Sequence, residues 1–211
     1  MYIRFLKRLC DFWVSLFGLI LLSPLFLLIM LIIKLDSRGP VFFFQKRVGK
    51  DKKIFRILKF RTMHMNAPHD VPTHLLENPR IFITRFGRFL RKTSLDELPQ
   101  IWNILKGDMA VIGPRPALWN QDGLIRERDK YTGKYGLTAN NLRPGLTGWA
   151  QINGRDELEI PQKAKLDGEY VRRISFLFDL RCFVGTVISI FYSRGVVEGG
   201  TGTKDVKELL K

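Results

Sequence analysis

The sequence predicts an α+β chain, mainly helical: an N-terminal membrane helix interrupted at Ser23-Pro24, a small β-hairpin, amphipathic interfacial helices and a globular domain. Three observations predict it. Residues 12–33 form a run of 22 without a charge, built from Leu, Ile, Phe and Val around Ser23-Pro24. Two strand-like runs, 41–47 and 53–60, flank a turn at Gly49-Lys50-Asp51. Phe82, Phe86, Phe89 and Leu90 recur at helical spacing between residues 80 and 92. The 211 residues then divide into a membrane segment at 1–38, a domain at 39–197 and a Gly-rich, charged tail at 198–211.

Crossing a bilayer takes ~20 apolar residues. Residues 12–33 are long enough for that, and too long for a signal-peptide core. Arg4, Lys7 and Arg8 precede the run, and Lys34, Arg38, Lys46, Arg47, Lys50, Lys52 and Lys53 follow it. Positive charge stays on the cytoplasmic side, so both ends prefer the same side. Pro24 removes a backbone hydrogen bond and clashes with the preceding turn. Ser23 can satisfy the backbone groups this frees in lipid. Two readings stay open: a helix that turns back to its starting leaflet, and a kinked anchor that spans.

Past the hairpin, residues 64–79 are polar and carry Pro68, Pro72 and Pro79, which predicts a mobile loop. In residues 80–92, Arg85, Arg88, Arg91 and Lys92 occupy positions between the apolar ones. This pattern suits a basic amphipathic helix at an anionic membrane interface, with an ordinary surface helix as the alternative. Residues 176–192 predict a second apolar helix whose charges, Asp179 and Arg181, lie near its start. It is too short to span comfortably and belongs in the core or half-sunk at the interface.

The net charge of +15, from 35 Lys and Arg against 20 Asp and Glu, calls for anionic partners: nucleic acid, a membrane surface or phosphorylated substrates. Cys10 and Cys182 lack metal-ligand spacing and a disulfide framework, which predicts a reducing compartment. His64, His69 and His74 have no cysteine support and do not make a zinc site. Phosphate-loop, dinucleotide-binding and serine-elbow motifs are missing, as is the D-x-D of many nucleotide-sugar glycosyltransferases.

Residues 94–107 read as one helix, capped by Ser94 and stopped by Gly107. Asp96 and Glu97 then lie in its first turn, where unpaired N–H groups and the helix dipole favour negative charge and attract phosphate. Neighbouring helical residues point about 100° apart, so the two carboxylates would divide their work. One could attack while the other binds metal or handles a proton. A plain capping box, Ser94 with Glu97, is the structural alternative. Two further islands point to a polar ligand. In Gly113-Pro114-Arg115-Pro116 an arginine is held between prolines, which suits a diphosphate. Residues 142–155 carry Arg143 and hydrogen-bonding side chains such as Gln151 among glycines.

Taken together, Lys59-Phe60-Arg61-Thr62-Met63, Ser94-Leu95-Asp96-Glu97-Leu98-Pro99-Gln100, Lys106-Gly107-Asp108-Met109, Gly113-Pro114-Arg115-Pro116 and Arg143-Pro144-Gly145-Leu146-Thr147-Gly148 resemble the bacterial sugar transferases. In size and layout the chain is similar to their small monotopic members, the polyprenyl-phosphate phosphoglycosyl transferases. The resemblance implies a re-entrant helix broken at Ser23-Pro24 and an active site on the cytoplasmic face of the bacterial inner membrane. It further implies a Mg²⁺-dependent reaction in which Asp96 attacks a UDP-sugar, UMP leaves, and polyprenyl phosphate takes the phosphosugar. Glu97 matches the second acidic residue of the family pair, and Asp96 and Glu97 are the metal candidates. Lys59, Arg88, Arg115, Arg143, Asp167 and Gln151 are the substrate-binding candidates. The implied partners are the UDP-sugar, the lipid phosphate and the bilayer, with no nucleic acid; whether the chain forms a homo-oligomer stays open. A non-catalytic membrane scaffold and a membrane-tethered nucleic-acid binder are the competing readings.

Overall fold

The apolar run folds into α1 (Lys7–Asp36), which continues from a π-helical turn at Tyr2–Leu6. The computed structural model describes residues 2–68, 78–154 and 158–191. The tail at 198–211, and most of the proline-bearing loop with His69 and His74, lie outside the described residues. At 1.5 Å per residue, the 30 residues of α1 reach about 45 Å. That is long and apolar enough to cross a membrane.

The expected interruption at Pro24 is not a gap in α1, because helical structure runs through it. Proline has no N–H to offer the carbonyl four residues back, which is that of Ile20. Ser23 Oγ donates to that same carbonyl at 2.8 Å, so the acceptor keeps a partner. Asp11, Ser15, Ile29 and Ile33 are the buried residues of α1 and form one stripe at helical spacing. The opposite surface is apolar and exposed, as at Leu21 and Ile20.

One body holds α1 at both ends. Near its start, Arg8 donates to the carbonyls of Ile104 (2.6 Å) and Leu105 (2.7 Å), and Asp11 Oδ1 accepts from Val111 N at 2.9 Å. Lys7 pairs with Asp179 at 2.6 Å, and Tyr170 also donates to that carboxylate at 2.7 Å. At the other end Asp36 accepts from Phe86 N at 3.2 Å. Arg61 donates to the carbonyls of Ser37 and Arg38.

The hairpin forms as expected, from β1 (Phe42–Val48) and β2 (Ile54–Phe60), antiparallel with Phe43 opposite Lys59. The basic helix is shorter than its pattern predicted: α2 covers Arg85–Thr93. Two causes are visible. Residues 82–84 pair in extended form, through His64 N to the Phe82 carbonyl and Thr84 N to the Thr62 carbonyl, and the Thr84 hydroxyl then caps the helix by accepting from Gly87 N at 2.9 Å. Phe60, Leu90, Ile29 and Ile33 form a buried cluster that joins hairpin, α2 and α1.

The single helix expected over 94–107 is instead two pieces. A 3₁₀ turn at Leu95–Glu97 leads through Leu98-Pro99 into α3 (Gln100–Lys106). Pro99 cannot donate to the Leu95 carbonyl, and Leu98 N does so instead at 3.2 Å, which tightens the turn. Gly107 does end the helix, in the left-handed conformation.

Of the remaining elements, the apolar helix expected over 176–192 forms as α7 (Phe176–Phe191), and the others fall where the sequence pointed to loops or to no assigned element. β3 (Ala110–Ile112) and β4 (Gly145–Thr147) pair in parallel, and α4 (Asp122–Asp129) lies on the crossover between them. α5 (Trp149–Ile152), α6 (Ile160–Arg173) and α7 (Phe176–Phe191) follow. Tyr170, Val171, Phe178 and Cys182 bury the contact of α6 with α7. Leu177, Leu180 and Val184 of α7 face outward. Cys10 and Cys182 are free thiols, as expected.

Candidate active site

α2 ends at Ser94, whose φ of 57° reverses the chain into the Leu95–Glu97 turn. A left-handed non-glycine residue is uncommon, and here it stands two residues before the first of two acidic side chains. Leu95 and Leu98 pack on the Phe60 and Leu90 cluster. Asp96 and Glu97 are left to face the cations that β2 and the loop after β3 supply. Ser94 makes no side-chain cap, so the capping-box alternative does not describe this turn.

Glu97 is tightly held. Lys59 Nζ and Arg115 Nη2 each lie 2.8 Å from Glu97 Oε1, and Arg115 Nη1 lies 3.4 Å from Oε2. Burial pushes the Glu97 carboxyl up, but Arg115 and Lys59 outweigh it and hold it well below the usual carboxylate range. The Asp96 carboxylate is partly exposed and accepts no hydrogen bond among the described residues. Burial, together with the charge of Glu97, pushes it up to about 6, against the opposing pull of Lys59, Arg91 and Arg115. One turn thus presents an acid anchored by two cations beside an acid open to approach.

The cations are themselves fixed. Lys59 is carried by β2. Arg91 Nε donates to Thr62 Oγ1 at 2.9 Å, on the side of α2 where Gly87 meets the Thr62 backbone too closely for any Cβ. Arg115 lies in a loop whose neighbouring carbonyls are bonded: Pro114 O accepts from Gly145 N at 2.9 Å and Pro116 O from Arg47 Nη1 at 3.1 Å.

Residues 2–193 match the family profile described as bacterial sugar transferase. The chain belongs to the bacterial sugar transferase family. It is 38% identical over 208 residues to the "uncharacterized sugar transferase EpsL" of Bacillus subtilis, covering 95% of this chain and 98% of that one. It is 39% identical over 198 residues to the UDP-glucose:undecaprenyl-phosphate glucose-1-phosphate transferase of Escherichia coli, covering 90% of this chain and 41% of that protein. It is also 36% identical over 194 residues to an Aeromonas hydrophila UDP-N-acetylgalactosamine-undecaprenyl-phosphate N-acetylgalactosaminephosphotransferase, covering 90% of this chain and 45% of that one. The chain therefore spans less than half the length of the second and third of these relatives.

In this sugar transferase the fold joins Lys59, Asp96, Glu97 and Arg115 into one cluster. The other predicted residues make no side-chain hydrogen bond or ion pair with this cluster among the described residues. Arg88 is exposed on α2 and forms no ion pair with either carboxylate among the described residues. Arg143 Nε donates to the Gly107 carbonyl at 2.9 Å, at the far end of α3 from Asp96. Gln151 is buried on α5, and both ends of its amide lack a partner among the described residues. Asp167 is buried against Arg128; burial pushes its carboxyl up and Arg128 opposes that.

Arg91 was missed as a site residue. Its signal was available, since Gly87, Leu90 and Arg91 fall at i, i+3 and i+4 on the buried side of α2. No group of three or more His, Cys, Asp or Glu able to hold a metal occurs among the described residues. The adjacent acids Asp96 and Glu97 fit the way Mg²⁺ is usually held, by one or two carboxylates completed by substrate phosphates.

Proposed function

We propose that this sugar transferase moves a sugar 1-phosphate from a UDP-sugar to polyprenyl phosphate, releasing UMP. The observation that carries the reading is the contrast inside one turn, with Glu97 held by Lys59 and Arg115 and Asp96 open. An ionised carboxylate without a hydrogen-bond partner is the better nucleophile of such a pair. In the first displacement an Asp96 carboxylate oxygen bonds to the β-phosphorus, and the bond from that phosphorus to the bridging oxygen breaks. UMP leaves with that oxygen, and a phosphosugar-aspartate remains. In the second, a phosphate oxygen of the lipid attacks the same phosphorus and the Asp96 carboxylate departs, restored. The product is a polyprenyl diphosphate sugar.

Each displacement needs charge neutralised on the transferred phosphoryl oxygens. Lys59, Arg91 and Arg115 provide it from the protein side. Asp96 and Glu97 would hold Mg²⁺, which supplies further neutralisation when bound. The Escherichia coli and Aeromonas hydrophila relatives are named for UDP-glucose and UDP-N-acetylgalactosamine. A UDP-sugar is therefore the proposed donor class, with the sugar itself unassigned.

In this reading α1 enters and leaves the cytoplasmic leaflet of the bacterial inner membrane. Its support is that Arg8 near one end of α1 and Asp36 at the other bond to the same polar body, and charges of that number are costly inside a bilayer. The site would then lie at headgroup depth, where a lipid phosphate presents itself. The test is incubation with a UDP-sugar panel, polyprenyl phosphate and Mg²⁺. UMP release, and a phosphosugar-modified Asp96 peptide when the lipid is omitted, are expected. Full turnover by Asp96→Asn, or an adduct on another residue, would overturn the mechanism.

A further inference from the structure

Behind the site lies a buried ion pair that the proposed reaction does not use. Arg128 on α4 is 4% exposed and Asp167 on α6 is 2% exposed. Arg128 Nε and Nη2 both donate to Asp167 Oδ2, at 2.8 and 2.6 Å. The same Nη2 donates to the Arg115 carbonyl at 2.8 Å.

A buried ion pair is weak evidence for stability, because desolvation can cancel the attraction. Its geometry suggests another use. Four consecutive carbonyls of the arginine loop accept from three separate parts of the chain: β4, α4 and the end of β1. Pro114 O accepts from Gly145 N, Pro116 O from Arg47, and Ala117 O from Val48 N at 2.9 Å. The carbonyl of Arg115 itself accepts from Arg128. Pro114 and Pro116 have no N–H, so the carbonyl side orients the loop, and Asp167 in turn fixes the guanidinium that bonds at its centre.

We infer that Arg128 and Asp167 are positioning residues that aim the Arg115 guanidinium at the Asp96–Glu97 pair and the donor diphosphate. The inference rests on the proposed function for its consequence in turnover. Its geometry is the path Asp167 to Arg128 to the Arg115 backbone to Glu97.

The test uses the full chain in lipid nanodiscs. The double variant R128M/D167L removes the pair without leaving a lone buried charge, an exchange that proteins often tolerate. Its melting temperature is expected within a few degrees of wild type, while kcat/KM falls by about tenfold or more, divided between kcat and KM as in Arg115→Lys. Combining all three changes is expected to fall no more than about threefold below Arg115→Lys alone, since they act on one group. Arg128→Lys serves if the double variant does not fold: it keeps the charge pair but gives up the fork, and the same loss is expected. The Arg115 Nε–H resonance, followed by NMR in the same samples, is expected to broaden in each variant whether or not the chain turns over a donor. A folded variant with an unchanged Arg115 resonance, with wild-type kcat/KM, or with losses that multiply those of Arg115→Lys would overturn the inference. Wild-type protein that releases no UMP, with the resonance broadened in the variants, would instead count against the proposed function alone.

Discussion

Lys59 and Glu97 meet in a 2.8 Å ion pair that ties the second hairpin strand to the turn bearing both carboxylates. The two side chains are only 16% and 15% exposed, so solvent does little to weaken the contact. Lys59 also acts on Asp96, since its charge opposes the burial that pushes that carboxyl up. The hairpin is therefore part of the site as well as its support.

Lys59→Ala should leave the hairpin folded, because Phe60 and Ile57 carry its burial. UMP release should fall by about tenfold to a thousandfold, the range seen when one preorganised electrostatic donor is removed. A steady-state assay checks this. Turnover within about twofold of wild type would show that Arg115 suffices.

In the proposed mechanism Asp96 must be ionised to attack, and burial has pushed its carboxyl up to about 6. Protonation below that value removes the nucleophile. The acid limb of kcat/KM should accordingly bend near pH 6 and fall tenfold per unit beneath it, with a level region above. A bend near pH 4, the range of an unperturbed carboxylate, would mean the side chain is far better solvated during turnover.

Chelation offers an independent check on the acidic pair. Treatment with EDTA should stop turnover, and added Mg²⁺ should restore it, because the two carboxylates and the donor phosphates would share the ion. Undiminished UMP release in EDTA would leave neutralisation to Lys59, Arg91 and Arg115 alone.

Asp179 holds the start of α1, the helix long and apolar enough to cross a membrane. It accepts from Lys7 at 2.6 Å and Tyr170 at 2.7 Å, and Tyr2 also donates to it. Asp179→Ala would strand the Lys7 charge in a nearly closed site, and breaking such a pair costs ~3–5 kcal/mol. A melting temperature lower by several degrees is expected in detergent. An unchanged value would mean that Lys7 finds another acceptor.

Much of this was legible from residue order, for reasons that differ by element. The α1 run and the hairpin announce themselves because apolar length and turn residues are local signals. The paired acids and the proline-flanked Arg115 stand out as motifs. What the sequence concealed was long-range. A Ser94-x-x-Glu97 spacing looks like a cap until Lys59, 38 residues earlier, is seen to claim the glutamate. Strands β3 and β4 are three residues each, too short to leave an alternating pattern. Asp167 is paired with Arg128 in the interior, and nothing near either residue in the chain signals that pairing.

The stripe of α1 that meets the body has a practical corollary. Ile29 and Ile33 complete the cluster that supports Phe60 and Leu90 beneath the carboxylate turn. Cutting away the first 38 residues to obtain a water-soluble enzyme would therefore remove part of the floor beneath the candidate site. Assays should keep this greasy segment intact, with detergent or lipid to cover it, because it is also a structural beam under the candidate site.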